Sequence, residues 1–126
     1  MRSCKTIARW KAWREARAVT LSVLGLMRSC WTPGAAALLN QLQRASLSVQ
    51  LNIAEGYTFG ESPTFTRHLG IAYGSAVETS ELIQRAVDAG VCRAETVKVL
   101  QAQAGRCQRL LLGMLKRRRK LKSKIQ

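Results

Sequence analysis

Residues that build metal centres and active sites are scarce in this sequence. It contains one histidine, His68, and four cysteines that are scattered without a Cys-x-x-Cys spacing. Structural zinc needs about four closely placed ligands, and a di-iron bundle needs Glu-x-x-His pairs, which do not occur here. A glycine-rich phosphate-binding loop is also missing. We therefore expect no metal, no cofactor and no enzymatic activity.

Long apolar runs are missing as well. The most apolar stretch, residues 18–27, is much shorter than the roughly 20 residues that span a bilayer. The basic residues before it are interrupted by Glu15 and spread over too many positions for a signal peptide. The cysteines do not form a disulfide pattern. The sequence thus predicts a soluble, cytoplasmic protein with reduced thiols and no membrane partner.

Strong helix breakers are confined to three places in the chain, namely 33–34, 56–63 and 90. They separate four segments that are long enough for helices: about 4–30, 34–56, 63–89 and most of the remainder. Ser62 followed by Pro63 is typical of a helix start. Gly56 and Gly90 are typical of helix ends.

Each segment carries apolar residues at alternating steps of three and four, as in the seam of an antiparallel bundle. The alternation typical of strands is absent. We therefore predict an all-α fold: a single antiparallel up-down-up-down four-helix bundle over 1–115, with a basic extension, 116–126, continuing the last helix. The predicted core stripe of the first helix is Trp10, Trp13, Ala16, Val19, Val23, Leu26 and Cys30.

Negative charge is scarce, because 21 lysines and arginines face 7 acidic residues and leave a net charge of +14. The excess lies at the two ends of the chain. In an up-down-up-down bundle these ends meet at one pole, beside the 57–61 loop. Such a surface favours a polyanion, and we expect nucleic acid, with RNA favoured. The predicted contacts are Arg2, Lys5, Arg9, Lys11, Arg14, Arg17, Lys116, Arg117, Arg118, Arg119, Lys120, Lys122 and Lys124.

Other interpretations of these features stay open. The basic tail could simply be solvated, and the first helix could bind an anionic membrane surface. Trp10 and Trp13 could stack on unpaired bases. Their spacing on the apolar stripe favours core packing instead.

The second helix is apolar on more than one side. Leu39, Leu47 and Leu51 are predicted to lie off its core stripe, and a second apolar face needs a cover. We therefore predict a homo-oligomer with these three leucines at the interface.

Two motifs carry a family resemblance. They are Asn-Ile-Ala-Glu-Gly at 52–56 and Phe-Thr-Arg-His-Leu-Gly-Ile-Ala-Tyr-Gly-Ser at 65–75, followed by Glu78. They resemble the four-helix proteins encoded in 23S rRNA intervening sequences. That family is similar in fold to the accessory variability proteins of diversity-generating retroelements, which bind a reverse transcriptase and its structured template RNA.

The resemblance implies a bacterial or phage-encoded protein that forms a pentameric ring. We interpret the polar motif residues as structural, with Glu55 or Glu78 paired to Arg67 or Arg44 across helices or subunits. The structural motif set is Asn52, Glu55, Gly56, Arg67, Gly74 and Glu78.

The leading hypothesis is a non-catalytic, oligomeric RNA-binding scaffold that serves as an accessory factor of a reverse transcriptase. The first alternative is a 23S rRNA intervening-sequence protein that binds structured rRNA without a polymerase partner. A third hypothesis is a structural oligomer whose charge is incidental.

Overall fold

The computed structural model describes the backbone of residues 4–125 and the side chains of residues 9–122. Predicted contact residue Arg2 therefore lies outside the described residues, as do the side chains of Lys5 and Lys124. The described chain folds into α1 (Cys4–Cys30), a 3₁₀ turn (Pro33–Ala35), α2 (Ala36–Tyr57), α3 (Pro63–Asp88) and α4 (Ala94–Ile125). The predicted all-α class and the four helices are confirmed.

The helices form a closed ring of neighbours, since α1 and α3 each pack against both α2 and α4. Polar side chains pair across the boundaries in opposite chain order, which makes these neighbours antiparallel. The pairs are Gln41–Glu78, Ser48–Ser75 and Asn52–His68 between α2 and α3; Thr66–Arg118, Ser80–Gln108 and Gln84–Gln101 between α3 and α4; and Glu15–Arg106 and Ser22–Gln103 between α1 and α4.

Local chemistry sets the start and end of α3 as predicted. The Ser62 hydroxyl accepts a hydrogen bond from the Phe65 backbone N–H at 3.2 Å, and Pro63 occupies the first turn. Gly90 follows the helix with a φ of +74°, a conformation that glycine adopts at little cost.

The helix end predicted at Gly56 falls one residue early, because α2 continues through Tyr57, and Gly56 has no positive φ. Gly56 is instead a point of close approach between α2 and α3. A Cβ at this position would lie 2.8 Å from Phe65 Cδ2, closer than packed carbon atoms allow. The glycine of the 52–56 motif therefore lets two helices meet at this end of the bundle.

The predicted core is largely confirmed, but Trp10 is an exception. Its side chain is 49% exposed and stacks on Trp13, whereas Ala12 is fully buried. Trp10 lies two residues before Ala12, a rotation of about 200° around the helix. It therefore points away from the interior, while Trp13 is partly buried against the core.

Leu39 also departs from the prediction. It was expected at an oligomer interface, but it is 0% exposed within the single chain. It lies three residues before Leu42, which is also buried, so one turn brings it onto the inner face of α2. Leu47 and Leu51 are exposed, as expected.

Helix α4 continues without a break through the basic extension to Ile125. Its inner face is buried as far as Met114 and Leu115. Beyond that point the helix carries the basic residues past the main core. None of the described helices has an apolar segment long enough to cross a membrane.

Candidate nucleic-acid interface

The start of α1, the 58–62 loop, the start of α3 and the last turns of α4 lie together at one end of the bundle. We call this region the basic end. Glu61, in the loop, pairs with Arg9 of α1 and with Arg118 of α4, the latter at 2.5 Å between Nη2 and Oε2. The two positively charged ends of the chain therefore meet at one pole, as the sequence analysis expected.

Phe65 forms the floor beneath the two arginines. The guanidinium carbons of Arg9 and Arg118 lie 4.3 Å and 4.2 Å from the centroid of its ring. These distances are within the range of cation–π contacts. Arg118 also donates from Nη1 to the Thr66 hydroxyl at 3.0 Å. Both arginines thus pack against α3.

Burial changes the ionisation of groups around this floor. Desolvation raises the pKa of Tyr57 to about 12, although the charge of Arg9 acts in the opposite direction. The Tyr57 hydroxyl is buried and makes no hydrogen bond in the described structure. The pKa of Arg118 is lowered mainly by desolvation and to a smaller extent by repulsion from Arg9. Two positive charges have therefore been brought close enough to disfavour each other.

Most other predicted contact residues are exposed cations. Among the side chains that the structure describes, these residues form no ion pair with a carboxylate. They are Lys11, Arg14 and Arg17 on α1, and Lys116, Arg117, Arg119, Lys120 and Lys122 on α4. Cations from both chain-terminal helices are therefore exposed without an acidic partner among the described side chains.

Two aromatic faces accompany the cations. Trp10 is half exposed beside Arg9, and Phe59 is half exposed in the loop, where it stacks on His68 with ring centroids 5.6 Å apart. Sequence reasoning missed Phe59. An aromatic residue placed directly before Gly60, in a segment too short for a helix, was the available signal.

The family-motif residues build a polar network behind this surface. Asn52 Nδ2 donates to the Ser48 carbonyl at 2.8 Å, so its Oδ1 accepts from His68 Nδ1 at 3.0 Å. Glu55 lies 3.7 Å from the same histidine nitrogen. The network joins α2 to α3 and positions the loop that carries Glu61.

Among the described side chains, the predicted pairing of motif acids with Arg44 or Arg67 does not occur. Glu55 faces His68, and Glu78 accepts from Gln41 at 2.8 Å. Arg67 and Gly74 are exposed. Asn52, Glu55, Gly56 and Arg67 therefore cluster near the basic end, whereas Gly74 and Glu78 lie farther along the α2–α3 boundary.

A cavity that the described residues line inside the bundle is small. A cavity of about 10 Å³ lies among small side chains that include Ala16, Ala76 and Ala104. A cavity of this size holds at most about one water molecule. No group of metal-ligating side chains was found among the described residues.

The comparisons with known proteins agree with this architecture. A family model for 23S rRNA-intervening sequence proteins matches residues 8–113. A solved structure from Bacteroides thetaiotaomicron, described as a protein with unknown function from the S23 ribosomal protein family, is similar with a TM-score of 0.76. The match covers 86% of this chain and 98% of that chain at 16% identity, which supports the fold alone. A search of curated proteins finds no match. Neither matching description names an enzymatic reaction.

Proposed function

Because the chain belongs to the family of 23S rRNA-intervening sequence proteins, we propose that it is a non-catalytic, oligomeric scaffold that binds structured RNA through its basic end. The observation that carries this proposal is the meeting of Arg9 and Arg118 on Glu61. It joins the cations of both chain ends into one surface. The cations of the two chain ends, which account for much of the excess of basic residues, then act at one pole.

The end of α4 supplies the electrostatic part of the binding. Its cations project from a continuous helix, so they reach phosphates on more than one side of the helix axis. Each phosphate contact releases counterions, which makes the affinity strong at low salt and weak at high salt. Base edges are not read by such contacts, and sequence preference is therefore low.

The exposed aromatic faces favour RNA with unpaired bases. Trp10 and Phe59 each present a ring next to the cationic surface. Loops and bulges of structured RNA expose bases that stack on such rings. Double-stranded DNA does not expose its bases in this way, so RNA is the favoured partner.

We further propose that α2 and α3 provide the oligomer interface. Leu47 and Leu51 on α2 and Ile71 on α3 are exposed, and a second copy of the chain would cover them. A pentameric ring, which the family resemblance implies, would place five basic ends in one assembly. Several weak contacts would then act at high effective concentration.

Replacement of Leu47 with Glu should split the oligomer, because a charge would be buried at the interface. The measurement is the mass in solution by light scattering after size exclusion. Val99→Glu is the matched control, since Val99 is also exposed but lies on α4. A Leu47→Glu variant with the mass of the unmodified protein would reject this interface.

Two biological settings fit this surface. The large positive charge favours an accessory factor of a retroelement reverse transcriptase, which must hold a structured template RNA. The family description favours a protein that binds structured rRNA without a polymerase. Purification from the native host, with sequencing of the bound RNA and identification of bound proteins, distinguishes the two.

The core proposal is tested by measuring RNA affinity over a range of salt concentrations. We expect a retarded complex with a stem–loop RNA at about 100 mM salt and a steep loss of affinity above it. Absence of binding would leave a structural oligomer with incidental charge. Preferential binding to anionic vesicles, without competition by RNA, would favour a membrane surface instead.

A further inference from the structure

Among the described residues, Glu61 is the one acidic side chain that contacts both Arg9 and Arg118. Its carboxylate receives a hydrogen bond from Arg9 on one oxygen and from Arg118 on the other. A phosphate group has the same sign of charge and the same kind of acceptor oxygens. The carboxylate therefore occupies a position that suits a phosphate.

We propose that Arg9, Arg118 and the Phe65 ring form a phosphate-binding site, and that Glu61 occupies this site in the free protein and yields it to a phosphate group of bound RNA. This inference rests on the proposed function, because RNA supplies the phosphate. It assigns one phosphate to a specific site within the basic end, where the Glu61 carboxylate competes with that phosphate.

Arg9 and Arg118 are packed side chains that keep N–H donors available, as a phosphate-binding site requires. Their side chains are only 16% and 14% exposed, so their positions are held by packing over Phe65 and by Thr66. Each guanidinium has five N–H donors, and Glu61 engages one nitrogen of each. Donors therefore remain for the additional oxygens of a phosphate.

The position of the Glu61 side chain allows it to move away from the two arginines. Glu61 is 42% exposed and belongs to the short 58–62 connection, next to Gly60. Rotation of its side chain would uncover the arginines without moving a helix. One carboxylate also offsets only one of the two positive charges, so the site keeps a net attraction for anions.

The start of α3 strengthens the preference for an anion. Glu61 directly precedes Ser62, the residue that caps this helix. The N-terminal end of a helix carries partial positive charge. The same feature would stabilise a phosphate that replaced the carboxylate.

The first test compares RNA affinity of the Glu61→Gln and Glu95→Gln variants. Glu95 is exposed near the start of α4, at the opposite end, so both variants lose one negative charge. We expect Glu61→Gln to bind a stem–loop RNA about two- to fivefold more tightly than Glu95→Gln, because a partly exposed carboxylate no longer competes for the two arginines. Its unfolding temperature should fall, because two arginines lose their partner. Equal affinities, or weaker binding by Glu61→Gln, would overturn the proposal.

A third variant shows whether the gain arises at this site. In a protein whose Arg9 and Arg118 are both Gln, adding Glu61→Gln should no longer raise the RNA affinity. If the gain persisted, it would come from general charge, and the site would be rejected. Circular dichroism confirms that each variant is folded before affinities are compared.

The second test does not depend on RNA. Inorganic phosphate should raise the unfolding temperature of Glu61→Gln more than that of the unmodified protein, with chloride at equal ionic strength as the control. Equal shifts would contradict the site. If the unmodified protein bound no RNA but this phosphate effect appeared, the proposed function would fail while the anion site stood. If RNA bound normally and neither Glu61→Gln effect appeared, only the site would fail.

Discussion

The two ends of the bundle are made by the same four helices but differ in chemistry. At the basic end, Glu61 ties together Arg9 and Arg118, and aromatic rings lie beside the charges. The far end comprises the α1–α2 connection, 31–35, and the α3–α4 connection, 89–93. Among the described side chains there, no ion pair joins one helix to another.

The far end also contains a buried thiol, that of Cys92, which is unreactive. Burial, together with a side-chain hydrogen bond to Cys30, raises the pKa of Cys92 to about 12. A thiol with so high a pKa is almost entirely protonated near neutral pH and is a poor nucleophile. The two arginines and the carboxylate between them therefore distinguish the basic end from the far end.

The largest expected difference concerns the cations of the two ends. Changing Arg117, Arg119 and Lys120 to Gln should weaken RNA binding about 100-fold at low salt and reduce the slope of log affinity against log salt by about two. Gln is a good helix former, so α4 should persist. The measurement is a salt titration of a gel-shift affinity, and Arg118 is left in place to keep its contact with Glu61.

The matched control removes three exposed cations nearer the far end, Arg85, Arg93 and Lys98. It leaves the same net charge as the first variant. We expect its affinity to remain much closer to that of the unmodified protein. Equal losses in the two triple variants would mean that RNA responds to total charge and that the ends do not differ.

A smaller effect is expected from the helix contact beneath the basic end. Gly56→Ala places a Cβ against the Phe65 ring and should lower the free energy of unfolding by about 2 kcal/mol. Gly25→Ala, toward the far end of α1, meets open space and should raise it by about 0.5–1 kcal/mol. Urea denaturation measures both. A Gly56→Ala variant as stable as Gly25→Ala would show that α2 and α3 do not approach closely.

The smallest expected effect concerns two tryptophans with almost equal exposure. Trp10 is 49% exposed at the basic end, and Trp31 is 48% exposed at the far end. Trp10→Ala should weaken binding to an RNA with an unpaired loop by about fivefold, since one base stack contributes about 1 kcal/mol. Trp31→Ala should leave the affinity nearly unchanged. Similar losses in both variants would remove the aromatic part of the proposal.

Local sequence signals predicted the helices well because they act over a few residues. The start of α3 at Pro63 follows from the hydroxyl of Ser62 and the fixed φ of proline. The end of α3 follows from Gly90, whose positive φ suits a helix terminus. The meeting of the two charged chain ends also followed, since an even number of antiparallel helices returns the chain to the pole where it began.

Two predictions about which side of a helix is buried were wrong. Trp10 and Leu39 each lie close to a correctly predicted core position, and each was assigned to the wrong face. Apolar character alone does not distinguish neighbouring faces of a helix that is hydrophobic on several sides. The neighbouring helices decide which face is covered.

The number of helices, most of their boundaries and the concentration of positive charge at the two chain ends follow from the amino-acid sequence alone. These properties depend on composition and on contacts between residues a few positions apart. Only the tertiary structure placed Glu61 between Arg9 and Arg118 and brought Gly56 against Phe65. Arg9 and Arg118 are separated by most of the chain, and no local spacing encodes their distance from a shared partner. That distance follows from how the four helices pack.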